Sequence, residues 1–149
     1  MEQITEDFVS PQLAKLLAAK GFDVPTLRFY DSQDIPCVSG RNEPFNWNEF
    51  KDSRCPSFSR PTVQTVIKWL ISKGFYVHTI LSYESMIDDN DELVGNRTFW
   101  IFEIQTTKDG KTVYCEDEKE YSTHEEATDA AIIHCLTEII EPKTNKKHI

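Results

Sequence analysis

The feature that most constrains the fold is a series of three strand-like segments in the second half of the chain. Residues 75–83 and 98–105 are rich in β-branched and aromatic side chains, which favour strands. Asp109-Gly110 then supplies a dipeptide that tolerates positive φ in a tight hairpin turn, and residues 111–115 form the returning strand. The pattern therefore predicts an antiparallel β-meander over residues 75–115.

The first helix is predicted from its caps. Ser10 is a good N-cap, and Pro11 fits the first helical position because its nitrogen needs no hydrogen bond there. Lys20-Gly21-Phe22 is predicted to end the helix, with Gly21 in the left-handed conformation. A short strand is predicted to follow at residues 26–30.

The second helix is predicted to start at Pro61, with Ser59 or Arg60 as its cap, and to end at Lys73-Gly74-Phe75. Hydrophobic residues recur every three or four positions along it, as on one face of an amphipathic helix. This face is predicted to be buried against the sheet, and it consists of Val63, Val66, Ile67, Leu70 and Ile71.

The third helix is predicted to open with a capping box, in which Ser122 and Glu125 satisfy each other's backbone donors. Pro142 follows the helix directly and would stop it. Its buried side is predicted to consist of Ala127, Ala131, Ile132, Cys135, Leu136 and Ile139.

These elements predict an α+β fold, with an antiparallel β-meander of about three to four strands and two or three helices packed on one face. The 149 residues suit a single domain, 1–149. Residues 31–58 are predicted to be a long loop that contains aromatic side chains, and residues 143–149 a mobile tail. No apolar run approaches the roughly 20 residues of a membrane helix, and the first seven residues are acidic and polar. We therefore expect no membrane segment and no signal peptide.

Charge is distributed unevenly along the chain. The chain has 25 acidic and 16 basic residues, a net charge of −9, and residues 84–129 alone contain fourteen acidic and four basic residues. A nucleic-acid-binding protein needs a basic stripe to displace counterions from phosphate, and the sequence has none. Direct nucleic-acid binding is therefore not expected. The acidic region either keeps the protein soluble or imitates nucleic acid and so inhibits a host protein.

The cysteines and glycines show no cofactor or metal motif. The four cysteines lie singly, without the C-x-x-C pairs of zinc sites, and the default is reduced thiols in a cytoplasm. Cys115 and Cys135 fit apolar patterns and are predicted to be core residues, whereas Cys37 and Cys55 are predicted to lie in the loop. The acidic residues 88–92 do not match a calcium loop, because Leu93 takes the required glycine position. No cofactor and no metal ion are predicted.

Glu103 is the single carboxylate inside an apolar run, on the strand face of Phe99 and Ile101. If that face is buried, Glu103 needs a partner or a raised pKa, which is common at catalytic sites; otherwise it marks the point where the sheet meets water. A small enzyme with a dispersed site would place Cys37 or Cys55 beside a histidine and a carboxylate in a deep pocket. No local spacing of residues shows such a site.

Four aromatic residues stand out in the predicted loop among asparagines, serines and prolines. They either fold back over a small core or form a partner-binding surface, where tryptophan and phenylalanine are favoured anchors. The candidate partner-binding residues are Phe45, Trp47, Phe50 and Phe58.

The chain resembles small uncharacterised proteins from prophages and mobile elements of gut bacteria. The resemblance rests on Phe8-Val9-Ser10, Lys20-Gly21-Phe22-Asp23, Arg60-Pro61-Thr62-Val63-Gln64 before Lys68-Trp69-Leu70, and Tyr121-Ser122 before Glu125-Glu126-Ala127. These positions are helix caps and core residues, so the resemblance implies a phage-type accessory protein without any catalytic residue. Together with the aromatic loop, it predicts a non-enzymatic, cytoplasmic protein-interaction module that binds a host or phage protein.

Overall fold

The computed structural model describes residues 7–49 and 56–140, which form an α+β fold with two antiparallel sheets. The predicted fold class and β-meander are confirmed. The chain divides into two compact units, one made of Met1–Trp69 with Leu136–Ile149 and the other of Leu70–Cys135.

The first unit contains the first helix, most of the second helix and a small three-stranded sheet with the strand order β2-β1-β3. The predicted long loop is wrong in its described part, because two of these strands and a single 3-10 turn lie within it. Strands of two or three residues are too short to show an alternating pattern, and Pro36 opens an edge strand, where the missing N–H is tolerated. The elements are α1 (Pro11–Ala19), β1 (Arg28–Tyr30), β2 (Pro36–Val38), the 3-10 turn Trp47–Glu49 and β3 (Phe58–Ser59).

Both predicted caps of α1 are confirmed. The Ser10 hydroxyl accepts the backbone N–H of Leu13 at 3.2 Å. At the other end Gly21 has a φ of 88°, and the backbone N–H of Phe22 donates to the carbonyl of Leu17 at 2.9 Å. Phe22 is thereby folded back into the core, where it is only 1% exposed.

The second helix, α2 (Val63–Ser72), begins two residues later than predicted. The carbonyl of Pro61 accepts the backbone N–H of Val9 at 3.1 Å, and Thr62 forms an isolated antiparallel bridge with Phe8, so the chain is still extended at these residues. Thr62 is therefore the cap, and its hydroxyl accepts the backbone N–H of Thr65 at 3.2 Å.

The buried face of α2 also differs from the prediction. Val66, Trp69 and Leu70 are buried, whereas Ile71 is 42% exposed and Ile67 is half-buried. Trp69 and Ile71 lie on opposite sides of Leu70 around the helix, so the buried face is rotated toward Trp69 and away from Ile71.

The second unit is the predicted meander with the third helix packed on it. The strands run in the order β4-β5-β6 and are longer than predicted, since β4 and β5 pair as far as Ile87 and Leu93. The core between helix and sheet includes Val77, Phe102 and Ile132. The elements are β4 (Phe75–Ile87), β5 (Leu93–Thr106), β6 (Thr112–Tyr121) and α3 (His124–His134), followed by a π-helical turn, Cys135–Ile139.

The cap of α3 lies one residue beyond the predicted capping box. Thr123 accepts the backbone N–H of Glu126 at 3.1 Å, and the Ser122 hydroxyl donates to the Glu126 carboxylate at 3.1 Å. Five of the six residues on the predicted buried side are buried, and Ile139 is half-buried. Within the described residues, every helix is too short or too polar to cross a membrane.

Candidate functional site

The structure brings together two of the four predicted partner-binding residues. The ring of Trp47 stacks on Phe29 of β1, with ring centroids 3.9 Å apart and an interplanar angle of 22°. Phe45 meets Trp47 edge-on, at 5.1 Å and 72°. The three rings form one aromatic cluster in the first unit.

Hydrogen bonds to the backbone hold this cluster in place. Trp47 donates its indole N–H to the carbonyl of Thr26 at 2.9 Å and its backbone N–H to the Ser59 hydroxyl at 3.1 Å. Phe45 exchanges two backbone hydrogen bonds with Thr26, at 2.9 and 3.0 Å. Because these side chains are ordered before any partner arrives, binding to them would cost little conformational entropy.

An open cleft of about 540 Å³ lies beside the cluster, and we call it the aromatic cleft. Pro44, Phe45 and Trp47 provide its apolar lining, and Phe45 is 45% exposed. The exposed charges of Arg41 and Glu43 also line it. The described residues of the lining include no cysteine and no histidine, and their apolar and charged side chains suit binding through apolar and charged contacts.

Of the other two predicted partner-binding residues, Phe58 is not among the described residues that line this cleft. Phe58 lies in β3 opposite Tyr30, and the ammonium group of Lys15 is 5.9 Å from the centre of its ring. Phe50 lies outside the described residues, as does Cys55. A binding role for the four aromatic residues stays a prediction.

A row of three polar residues crosses the face of the meander opposite α3. Glu103 lies directly opposite His78 of β4 on one side and Cys115 of β6 on the other. The imidazole Nε2 of His78 is 3.5 Å from Oε2 of Glu103, and the hydroxyl of Thr112 donates to Oε1. The sequence singles out Glu103 but does not reveal the row. Its three residues become neighbours only through the register of β4 with β5 and that of β5 with β6.

The order of this row does not suit nucleophilic catalysis. A cysteine nucleophile needs a base within hydrogen-bond reach, whereas Glu103 stands between Cys115 and His78 and each strand step is about 4.8 Å. Cys115 is exposed, so its predicted core position is wrong; strand alternation places it on the face away from α3.

The other two described cysteines also have defined places. Cys135 is buried as predicted, and burial raises the pKa of its thiol to about 12. Cys37 lies in β2, not in a loop, and its thiol contacts the carbonyl of Ile35 at 3.4 Å. In the part of the chain that the structure describes, no three histidine, cysteine or carboxylate groups are arranged to hold a metal ion.

A cluster of titratable groups lies where α3 packs on β6. The His134 ring stacks on Tyr114 with centroids 3.7 Å apart, and the Tyr114 hydroxyl donates to the Glu116 carboxylate at 2.6 Å. Glu116 also accepts two backbone N–H groups, from Glu118 and Lys119. The hydrogen bond raises the pKa of Tyr114 to about 12 and, with those backbone donors, lowers the pKa of Glu116. The stacking of His134 on Tyr114 contributes to the packing of α3 on β6.

Five of the fourteen acidic residues of the region 84–129 lie on the β4–β5 hairpin, residues 81–99, which extends past the end of β6. Residues 88–92 form its turn, where the Asp88 carboxylate accepts the backbone N–H groups of Asn90 and Glu92. Arg97 donates to the carboxylates of Glu84 and Glu120, which joins the three strands. Hydrophobic side chains of the hairpin are also exposed, between 41% and 71%: Leu81, Tyr83, Met86, Ile87, Leu93 and Val94.

Comparison of the chain with protein-family models, with curated proteins and with solved structures finds no match. The resemblance to prophage and mobile-element proteins therefore stays a prediction. The function is argued from the geometry of the chain itself.

Proposed function

We propose that the chain is a non-enzymatic protein-interaction module, a phage-type accessory protein that binds a host or phage protein in the cytoplasm. The observation that carries the proposal is the aromatic cleft, in which Phe45 and Trp47 are fixed by backbone hydrogen bonds while Phe45 remains 45% exposed. Pre-organised aromatic side chains are the most frequent anchors of protein interfaces.

The charges beside the cleft support a protein partner. Arg41 and Glu43 are exposed and of opposite sign, so they can pair with complementary charges at the margin of an interface. The apolar lining would bury a side chain of the partner, while the charged residues would fix its orientation. This division into an apolar centre and a polar rim is typical of protein–protein interfaces.

Affinity capture from host lysate tests the proposal when wild type is compared with Phe45→Ala. Loss of an anchoring aromatic ring costs an interface about 2 kcal/mol or more, so we expect capture of the specific partner to fall at least about tenfold. Ile35→Ala is the matched control, because Ile35 is 49% exposed in the same unit and does not line the cleft. Thermal melts would verify that both variants fold. Identical captured proteins for wild type and Phe45→Ala would contradict the proposal.

A second candidate function is imitation of nucleic acid, by which the chain would inhibit a host protein that binds DNA or RNA. The β4–β5 hairpin favours it, because Asp88, Asp89, Asp91 and Glu92 are all exposed and residues 85–96 include no basic side chain. A partner held by the hairpin would be basic, and its binding would weaken steeply with added salt. The two candidates therefore differ in the surface that contacts the partner.

A further inference from the structure

Arg28 and Arg60 form a like-charged pair across β1 and β3. The pairing of Phe29 with Ser59 places Arg28 directly opposite Arg60, and the backbone N–H of Arg60 donates to the carbonyl of Arg28 at 3.0 Å. Residues opposite each other in an antiparallel pair point to the same face, and like charges there destabilise the sheet. The pair therefore calls for a compensating negative charge.

Both guanidinium groups lie against the ring of Phe8. The guanidinium carbon of Arg60 is 4.2 Å from the ring centre and that of Arg28 is 5.1 Å from it. Phe8 thus contacts both charged groups.

In the described residues these two charges have aromatic contacts, with Phe8 and, for Arg60, with Tyr30, but no carboxylate partner. Neither arginine forms an ion pair with a carboxylate there, although the chain as a whole has a net charge of −9. The Nε of Arg60 is buried and has no hydrogen-bond partner among the described residues. A buried donor without an acceptor is costly, and because this nitrogen is closed to water, a ligand in the cleft would contact the terminal guanidinium nitrogens of Arg60 instead.

The two arginines line a cleft of about 190 Å³, which we call the arginine cleft. Its lining includes Thr62 and Thr65, whose hydroxyl oxygens are 2.9 Å apart beside the first turn of α2. Its volume is several times the roughly 30 Å³ that one water molecule occupies in the liquid, so a phosphate group fits. Guanidinium groups and hydroxyls are the usual ligands of phosphate.

We propose that the arginine cleft binds a phosphate group, as the free ion or as a phosphate monoester. The anion would neutralise the cross-strand pair of Arg28 and Arg60 by accepting hydrogen bonds from the terminal nitrogens of their guanidinium groups. This site goes beyond the proposed function, because it uses residues outside the aromatic cleft.

Calorimetric titration of the full chain with inorganic phosphate, at constant ionic strength, tests the proposal. We expect saturable binding of one phosphate with half-saturation at or below about 1 mM. Arg28→Gln and Arg60→Gln should each weaken binding at least about tenfold, because each removes a charge-assisted pair of donors. Lys68→Gln is the control, since Lys68 is an exposed cation of the same unit that lines neither cleft, and this variant should bind phosphate like wild type.

Two further titrations identify the source and the class of the ligand. O-phosphoserine binding as tightly as inorganic phosphate indicates a phosphate ester, and tighter inorganic phosphate indicates the free ion; both support the site. Acetate binding as tightly as phosphate would overturn the phosphate class. No saturable phosphate binding in wild type, or equal binding by wild type and both arginine variants, would overturn the site.

A melting experiment separates a ligand role from a purely structural one. Without phosphate, Arg28→Gln should melt at a higher temperature than wild type, because it removes a like-charge contact. With phosphate, wild type should gain stability while Arg28→Gln does not. If Arg28→Gln fails to fold, Arg28→Lys keeps the charge but loses the paired donors, and its phosphate binding should still be weakened. A destabilised Arg28→Lys with unchanged phosphate affinity would contradict the proposal.

Discussion

At the scale of single residues, the hydrogen bond between Tyr114 and Glu116 makes the stability of the fold depend on pH. It holds the pKa of Glu116 below its usual value of 4.5, so the stabilisation from this group is present above that pH and is lost as the pH falls through the lowered pKa. It also raises the pKa of Tyr114 from 10.0 to about 12, so the stabilisation from the phenol is present below pH 10.0 and is lost as the pH rises toward 12.

Tyr114→Phe tests this coupling while keeping the ring that stacks on His134. We expect the pKa of the Glu116 carboxyl to rise toward its usual value, since the variant removes the phenol donor. NMR titration of the Glu116 carboxyl carbon measures this shift. The difference in unfolding free energy between wild type and variant should be largest near neutrality and shrink in acid. An unchanged Glu116 titration would show that the backbone donors alone set its pKa.

At the scale of elements, α2 shows that a correctly identified helical periodicity can still assign some residues to the wrong side of the helix. Leu70 is fully buried, whereas Ile71, the next residue on the same predicted stripe, is 42% exposed. We expect Leu70→Ala to cost about 2–5 kcal/mol of unfolding free energy, because it leaves a cavity. Ile71→Ala should cost about 0.5 kcal/mol or less, since exposed substitutions are usually within that range. Chemical denaturation measures both, and equal losses would contradict the assigned face.

Local signals explain which elements were predictable. The caps of α1 and the Asp-Gly turn depend on neighbouring residues only, and Gly110 has the expected positive φ of 70°. The predicted cap of α3 is wrong by one residue, because Ser122 and Thr123 are both good caps and the sequence does not show at which of them the helix begins. In the first sheet, β1 and β3 pair residues about 30 positions apart, and no local pattern shows such pairing.

The candidate sites also depend on contacts between residues far apart in the sequence. The aromatic character of Phe45 and Trp47 is visible in the sequence, but the cleft depends on backbone hydrogen bonds to Thr26, about twenty residues away. The arginine pair was missed because Arg28 and Arg60 become neighbours only when β1 pairs with β3. Long-range register is therefore the information that the sequence reasoning lacked.

At the scale of the whole molecule, the two compact units differ in their chemistry. The first unit carries both clefts and the uncompensated arginine pair, and the unit Leu70–Cys135 carries most of the acidic excess. The net charge of −9 affects solubility and association rates before it affects specificity. In our proposal the aromatic cleft recognises the partner and the acidic hairpin has a supporting electrostatic role.

Site-specific photo-crosslinking tests this assignment most directly. A benzoyl-phenylalanine crosslinker would replace Glu43 beside the aromatic cleft, Glu92 in the hairpin turn, or Ile35 as an exposed control in the first unit. After illumination in host lysate, mass spectrometry would identify the adducts. The account predicts a specific protein adduct from position 43, none from position 35, and loss of the position-43 adduct on adding Phe45→Ala. A specific adduct from position 92 with none from position 43 would contradict it and favour the acidic hairpin as the contact surface.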